Sequence, residues 1–173
     1  MKKTKPSSTA DHPSPEVESP AVAVIGGGYW GKNLVRNFNS LHSLKLVCDK
    51  DETILSNFKD QYKGIETCLA LADVLSNDDI RGVVIATPAE THFNIARESI
   101  LAGKHVFVEK PLCLKVEELD DIRKCYEPSA KSCQPLMVGY NRRFSPLIRK
   151  IKKALGQGPM AMMYRVNAGA IPK

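Results

Sequence analysis

The feature that most constrains the fold of this chain is a set of spaced glycines at the end of an apolar run. Residues 21–33 read AVAVIGGGYWGKN, so a β-branched run of strand length ends in Gly26-x-Gly28-x-x-Gly31 and continues into a segment that favours a helix. Gly26 allows a sharp turn off the strand, Gly28 lets backbone N–H groups approach a pyrophosphate, and Gly31 lets the helix pack closely on the strand. The helix N-terminus then presents unpaired N–H groups to an anion. The pattern predicts a dinucleotide-binding turn; a tight turn without a ligand is the alternative.

Asp49 strengthens the dinucleotide prediction. It closes the next apolar run and lies 18 positions after Gly31, near the offset of roughly 20 at which an acidic residue meets the adenosine ribose. A carboxylate there can accept both ribose hydroxyls and repels a 2′-phosphate, which favours NAD over NADP. Lys50 beside it leaves NADP open, and capping of a turn is the alternative role for Asp49.

Length and charge limit the other classes of function. The chain has 173 residues and a formal net charge of +6, which allows one well-buried domain and part of another. Residues 1–20 are rich in Pro, Ser and Thr and contain no apolar run, so we expect a disordered tail there. The late basic residues favour a solvated helix face, because no nucleic-acid-binding motif accompanies them. We therefore expect no nucleic-acid partner.

The cysteines and the hydropathy pattern exclude further classes. The five cysteines are scattered, without a C-x-x-C pair or a nearby histidine pair, so neither a metal site nor a disulfide framework is expected. No apolar segment follows the N-terminal lysines as an export signal requires. No apolar run reaches the length of about 18 residues that a membrane span needs. The expected location is the cytoplasm, without a membrane partner.

The rest of the chain alternates between strand-like and helix-like segments. The predicted strands are 65–68, 82–86, 105–108 and 136–139, and the predicted helices are 52–62, 69–75, 90–102, 116–126 and 146–155. Such alternation predicts an α/β fold, a Rossmann-type doubly wound parallel sheet that binds ligands at the carboxyl ends of its strands. Polar or turn-forming clusters follow three successive strands at residues 87–88, 109–111 and 140–143. These clusters are expected at the ligand-binding edge.

Five segments of the chain resemble the glucose-fructose oxidoreductase, inositol dehydrogenase and rhizopine-catabolism (Gfo/Idh/MocA) family of nicotinamide-dependent sugar oxidoreductases. In order, the segments are GGGYWGKN, VCDKD, IATPAETHFNIA, GKHVFVEKPL and GYNRRFSP. The resemblance covers residues 21–146. It implies an enzyme that transfers a hydride from a hydroxyl-bearing carbon of a sugar or nucleotide sugar to NAD, and a homo-oligomer once its second domain is complete.

The resemblance also implies roles for residues that follow the predicted strands 82–86 and 105–108. Lys110 would be the catalytic acid/base and would contact the substrate, since loss of a hydride from a sugar carbon requires the adjoining hydroxyl to lose its proton. Glu109 would face the nicotinamide end of the cofactor, and Pro111 resembles a proline that is often cis in the family. Thr87 and Pro88 would line the nicotinamide-ribose side.

Three further residues have a cofactor role and a structural alternative. Tyr29 and Trp30 would supply backbone N–H groups to the pyrophosphate, although their rings are equally explained by packing. His92 would contact the cofactor from the start of a helix, but an imidazole at such a position is as often a hydrogen-bonded packing residue.

The last assignments concern the C-terminal part of the chain. Asn141 would contact the nicotinamide, while Arg142 and Asn167 would bind the substrate. Residues 164–172, YRVNAGAIP, resemble the first strand of the second domain in members that act on nucleotide-linked sugars. The implied organisation is a tail over residues 1–20, an NAD(P)-binding domain over 21–145, and a linking helix with the start of an α+β substrate domain over 146–173.

Three hypotheses remain open from the sequence. The first is an NAD-dependent oxidoreductase acting on a sugar or nucleotide sugar. The second is a catalytically silent NAD-binding module, because the expected second domain is incomplete; on either hypothesis we expect this chain alone to turn over no substrate. The third is a nucleic-acid or interaction protein on a Rossmann scaffold, favoured only by the basic charge.

Overall fold

The computed structural model describes residues 20–126 and 134–155. These residues fall into two compact units, the first ending at Gly139 and the second beginning at Tyr140. The predicted tail, apart from Pro20, lies outside the described residues. So do residues 156–173, with the predicted strand and Asn167.

The first unit is built on a parallel sheet of six strands in the order β3-β2-β1-β4-β5-β6. The strands are β1 (Val22–Ile25), β2 (Leu44–Cys48), β3 (Glu66–Cys68), β4 (Gly82–Ile85), β5 (His105–Val108) and β6 (Leu136–Val138). In register, Ile25 at the end of β1 lies opposite Cys48 of β2 and Ile85 of β4. All four residues of β4 are buried, as its unbroken apolar sequence requires. The predicted fold class is confirmed.

Five helices connect the strands of this unit. They are α1 (Gly31–Ser40), α2 (Glu52–Gln61), α3 (Leu71–Ser76), α4 (Ala89–Leu101) and α5 (Val116–Lys124). The described part of the second unit holds a 3-10 helix, Asn141–Phe144, followed by α6, Pro146–Ala154.

The helices cover both faces of the sheet. Ala23 and Ile25 of β1 belong to one buried cluster, which also contains Ile100 of α4. Val24, which points to the other face, belongs to a second cluster with Val35 of α1. Alternate residues of the central strand therefore pack into two different cores, which is the arrangement of a doubly wound sheet.

Local side-chain and backbone bonds set the helix ends. Asp51 caps α2 by accepting a hydrogen bond from the N–H of Thr53 at 2.8 Å. Gly103, the predicted C-cap, has φ +74° and follows α4; its N–H donates to Ile100, and the N–H of Lys104 donates to Ser99, which together form a Schellman end.

One helix begins later than predicted. The sequence predicted a helix from residue 69, but α3 begins at Leu71 because Ala70 has extended backbone angles of φ −109° and ψ 135°. Leu69 consequently lies in the loop between β3 and α3, at the carboxyl edge of the sheet, and its side chain is 48% exposed.

Candidate dinucleotide-binding site

A crevice of about 580 Å³ opens at the carboxyl ends of β1, β2 and β4. The chain runs outward in opposite directions from β1, to β2 on one side and to β4 on the other. Such a switch point is where open parallel sheets bind ligands. Five of the residues predicted from the sequence line it, namely Gly26, Gly28, Asp49, Thr87 and Pro88.

The three fingerprint glycines have different structural reasons. Gly26 has φ +92°, and a Cβ there would lie 2.9 Å from the backbone of Ala86. A Cβ on Gly31 would collide with the carbonyl oxygen of Gly26, so this glycine makes room for the turn itself. At Gly28 no atom lies within 4 Å of the Cβ position. Gly28 therefore faces open space in the crevice.

The loop before α1 presents free donors beside this space. Among the described residues, none accepts a hydrogen bond from the backbone N–H groups of Gly28, Tyr29 and Trp30. These groups stand at the N-terminus of α1, where the helix dipole favours an anion. The rings of Tyr29 and Trp30 are 77% and 57% exposed and pack edge to face against each other, with centroids 5.9 Å apart.

The carboxylate of Asp49 is held by two backbone N–H groups. Its Oδ2 accepts a hydrogen bond from Gly27 at 2.6 Å, and its Oδ1 accepts one from Asp51 at 3.0 Å. Each carboxylate oxygen keeps further acceptor capacity. The side chain is therefore oriented before any ligand arrives.

Gly27 was missed by the sequence reasoning. A Cβ on this residue would lie 2.5 Å from Phe58 and 2.7 Å from Ile54, both of them side-chain atoms of α2. Because Gly27 has no Cβ, the loop can lie close against α2, and the N–H of Gly27 reaches the carboxylate of Asp49. The available signal was the unbroken run GGG at 26–28, of which the fingerprint uses only the first and third glycine.

Other wall residues were also missed: Leu69, Leu71, Thr91, Asn94 and Ile95. These residue types form no known binding motif. Among them, Leu69 is unusual because it is an apolar residue in an exposed position. Cys48 lies in the wall as well, and burial raises the pKa of its thiol to about 12. This cysteine therefore stays a neutral thiol.

Thr87, two residues after the end of β4, is tied to the first turn of α4. The hydroxyl of Thr91 lies 2.7 Å from both the hydroxyl of Thr87 and the carbonyl oxygen of Pro88. His92 is 2% exposed, and its Nε2 lies 2.8 Å from the carbonyl oxygen of Thr87. Its Nδ1 lies 2.6 Å from the carbonyl oxygen of Pro111. The imidazole thus joins the segments that follow β4 and β5.

The loop after β5 carries the predicted acid/base residue. Glu109 continues the strand pairing through its N–H, which donates to Ile85 at 2.9 Å. Its carboxylate accepts the N–H of Lys110 at 3.3 Å. The Lys110 side chain is exposed, and the Lys110–Pro111 peptide bond is cis.

Asn141 and Arg142 begin the 3-10 helix of the second unit and are both exposed. Within the described residues, no group of three or more metal-ligating side chains is present, and no helix there is long and apolar enough to cross a membrane.

The comparison with protein families matches the first unit. Residues 21–140 match the model of the Gfo/Idh/MocA oxidoreductase family, described as having an NAD-binding Rossmann fold. A glycosyl hydrolase family 109 protein from Shewanella pealeana is 32% identical over 155 residues, which cover 82% of this chain and 34% of the relative. The corresponding protein 2 of Shewanella sp. strain ANA-3 is 30% identical over 153 residues, with the same coverage.

Solved structures agree with the family match. GenD2 from gentamicin A biosynthesis, in complex with NAD, is 30% identical with a TM-score of 0.70, and the match covers 85% of this chain and 42% of GenD2. The WlbA dehydrogenase from Chromobacterium violaceum, in complex with NADH and UDP-GlcNAcA, is 25% identical with a TM-score of 0.71, covering 80% of this chain and 40% of WlbA. The chain thus spans between about a third and two fifths of the length of these proteins.

Proposed function

The chain belongs to the Gfo/Idh/MocA oxidoreductase family with an NAD-binding Rossmann fold, and we propose that it serves NAD-dependent oxidation of a hydroxyl group on a sugar or nucleotide sugar. The observation that supports the cofactor part most strongly is the pair of features at the glycine loop, free N–H donors and open space at Gly28. The substrate class is supported by the complexes of relatives, of which WlbA was solved with a nucleotide sugar.

The residues present fit a dinucleotide. In the proposal, the N–H groups of Gly28, Tyr29 and Trp30 hold the pyrophosphate, and Asp49 accepts the adenosine ribose hydroxyls. Because both oxygens of Asp49 are already oriented by backbone N–H groups, binding need not order this side chain. That fixed negative charge would repel a 2′-phosphate, so we infer a preference for NAD over NADP. Among the described residues of the crevice wall, Lys50 is the one cation that could attract a 2′-phosphate.

Lys110 is the proposed acid/base residue. Bound NAD supplies the hydride acceptor for the carbon that is oxidised. Lys110 takes the proton of the hydroxyl on that carbon, and its exposed side chain can reach a substrate from solvent. Glu109 accepts the N–H of Lys110 and so helps to hold the lysine backbone.

The substrate side of the site is proposed from the family. Residues 21–145 would form the cofactor domain and 146–173 the linking helix and the start of a substrate domain, with Asn141 at the nicotinamide and Arg142 and Asn167 on the sugar. Holding the sugar beside the nicotinamide contributes several orders of magnitude to the rate.

Lys110→Met tests the assignment in the complete gene product. We expect turnover of a sugar or nucleotide sugar, followed by nicotinamide absorbance, to fall by about 10²-fold or more, with NAD affinity nearly unchanged. Lys115→Met is the matched control, since Lys115 is an exposed lysine in the same loop region. Near-normal turnover in Lys110→Met would contradict the role. NAD binding without turnover of any sugar would instead support a silent cofactor-binding module.

A second candidate is supported by the names of the Shewanella relatives, which are glycosyl hydrolases. NAD-dependent glycoside hydrolysis exists as a reaction class. Its net reaction consumes water and a glycoside and releases a sugar and an alcohol, with no net change of the nicotinamide. Stoichiometric NADH formation therefore supports the dehydrogenase, and sugar release without NADH supports the hydrolase.

A further inference from the structure

A buried histidine lies between the backbone segments that follow β4 and β5. His92 is 2% exposed and occupies the first turns of α4. Its Nδ1 lies 2.6 Å from the carbonyl oxygen of Pro111, and its Nε2 lies 2.8 Å from that of Thr87. Both ring nitrogens therefore face the backbone, and neither faces the crevice.

Both partners of the ring can only accept hydrogen bonds. A neutral imidazole carries one N–H and an imidazolium carries two, so a bond to each carbonyl requires a proton on the nitrogen that faces it. The shorter of the two distances is the one to Pro111. A partly buried carbonyl that loses its donor is destabilised, so the ring has a physical reason to keep a proton on Nδ1.

The bond to Pro111 lies next to the proposed acid/base residue. On the side before Lys110, the N–H of Glu109 donates to Ile85 and continues the strand ladder. On the side after it, the Pro111 carbonyl contacts His92. The backbone of Lys110 is thus anchored at both neighbouring residues, while its side chain stays exposed. A reactive side chain held this way keeps its geometry without being buried.

We propose that His92 is a positioning residue, which fixes the Lys110–Pro111 segment to the first turns of α4 by donating an Nδ1–H hydrogen bond to the Pro111 carbonyl. The proposal rests on the proposed function only in giving Lys110 its catalytic role; the anchoring itself is a property of the protein without ligand. It differs from a packing role, in which the ring would matter through its volume alone.

Two conservative variants separate the contact with Pro111 from the contact with Thr87. The amide nitrogen of an asparagine side chain occupies about the place of Nδ1, and that of glutamine occupies about the place of Nε2. His92→Asn can therefore keep a donor toward Pro111, whereas His92→Gln places its N–H toward Thr87 and leaves the Pro111 carbonyl without a donor. Ser99→Ala is the matched control, because Ser99 is a buried polar residue of the same helix whose hydroxyl donates within the helix, to Ile95.

The test uses amide hydrogen exchange and NMR of the 173-residue chain without ligand. In His92→Gln we expect the amides of Lys110 and Leu112 to shift. The amide of Glu109, which donates to Ile85, should exchange about tenfold faster, as for the loss of one hydrogen bond. In His92→Asn and in Ser99→Ala we expect all three amides to stay close to the unmodified protein. Equal effects in the Asn and Gln variants, or unchanged amides in both, would overturn the proposal.

The protonation of the His92 ring and the kinetics of the variants test the proposal independently of amide exchange. Long-range nitrogen-proton spectra of the unmodified chain are expected to show a proton on Nδ1 of His92; an Nδ1 without a proton would overturn the proposal even if no variant folds. In the complete gene product, His92→Gln should lower kcat by about tenfold with little change in KM for NAD, and His92→Asn should recover most of the loss. An absence of any turnover would count against the proposed function but would leave the amide result to decide the anchoring.

Discussion

At the scale of single residues, cofactor selection depends on the fixed carboxylate of Asp49. We expect Asp49→Ser to weaken NAD binding by about 10- to 150-fold, corresponding to about 1.5–3 kcal/mol for hydrogen bonds to a charged group. The affinity for NADP should fall much less, so the difference in affinity between NAD and NADP should narrow. Titration calorimetry with both nucleotides measures this directly.

Asp51→Ser is the matched control for this prediction. It removes a carboxylate only two residues away but keeps a side chain that can cap α2, so it should leave the preference for NAD intact. Equal affinities for NAD and NADP in the unmodified protein would contradict the role of Asp49.

Two neighbouring glycines should respond differently to the same substitution. Gly28→Ala adds a methyl group where no atom lies within 4 Å, so the free energy of unfolding should stay level or rise by up to about 1 kcal/mol. NAD affinity should nevertheless fall by about tenfold or more, since the methyl group occupies space left for the pyrophosphate.

Gly27→Ala should lower the free energy of unfolding by about 1–3 kcal/mol because the added methyl group collides with Phe58 and Ile54. Denaturant unfolding and calorimetry test the pair; a Gly28→Ala protein that binds NAD normally would contradict the assignment.

Cys48 offers a chemical test of burial in the crevice wall. Burial raises the pKa of its thiol to about 12, and only a thiolate is alkylated readily. At mildly alkaline pH, iodoacetamide should therefore modify Cys48 at least about 10²-fold more slowly in the native protein than in urea, as each pKa unit changes the thiolate fraction tenfold. Mass spectrometry of timed samples gives the rate. Equal rates in native and denatured protein would contradict this burial.

At the scale of elements, an ion pair ties β2 to the turn before β4. Lys45 Nζ lies 2.6 Å from Asp79 Oδ2, and this bond lowers the pKa of Asp79 from 3.8 and raises that of Lys45 from 10.5. The contribution of Asp79 is present above pH 3.8 and is lost as pH falls through its lowered pKa. The contribution of Lys45 is present below pH 10.5 and is lost as pH rises through its raised pKa.

Asp79→Asn should therefore destabilise the protein at neutral pH, by a small amount because the pair is exposed. The difference from the unmodified protein should shrink as the pH falls below 3.8. Urea unfolding midpoints across the acid range measure it, with Asp78→Asn, an exposed neighbour, as control. A difference that persists unchanged below that pH would show that the ion pair is not its cause.

The elements themselves were largely predictable because their signals are local. The unbroken apolar run 82–86 predicted a buried parallel strand, and β4 is buried throughout. β5 was predicted with the bounds found in the structure. Gly103 ended α4 as predicted. The start of α3 was not predictable from the local sequence, since Leu69, Ala70 and Leu71 all favour a helix. Only the extended backbone of Ala70 moves Leu69 into the crevice wall.

At the scale of the whole molecule, the site depends on contacts that cross from one segment to another. The fingerprint predicted Gly26, Gly28 and Asp49 in the crevice wall, because the motif fixes their spacing. It did not predict the hydrogen bond from Gly27 to Asp49, because this bond requires the loop to lie against α2. The two partners of His92 likewise come together only when β4 and β5 pair. Sequence spacing predicts residues that belong to a motif better than residues that contact one another across segments.

The central claim is that this chain binds NAD at the carboxyl edge of its sheet, with the pyrophosphate on the glycine loop and the adenosine ribose on Asp49. An NMR titration of isotope-labelled protein with NAD tests it most directly. We predict saturable shifts concentrated at the amides of Gly28, Tyr29 and Trp30 and at Asp49, with weaker effects beyond the crevice. An absence of saturable shifts, or saturable shifts confined to residues outside the crevice, would contradict it.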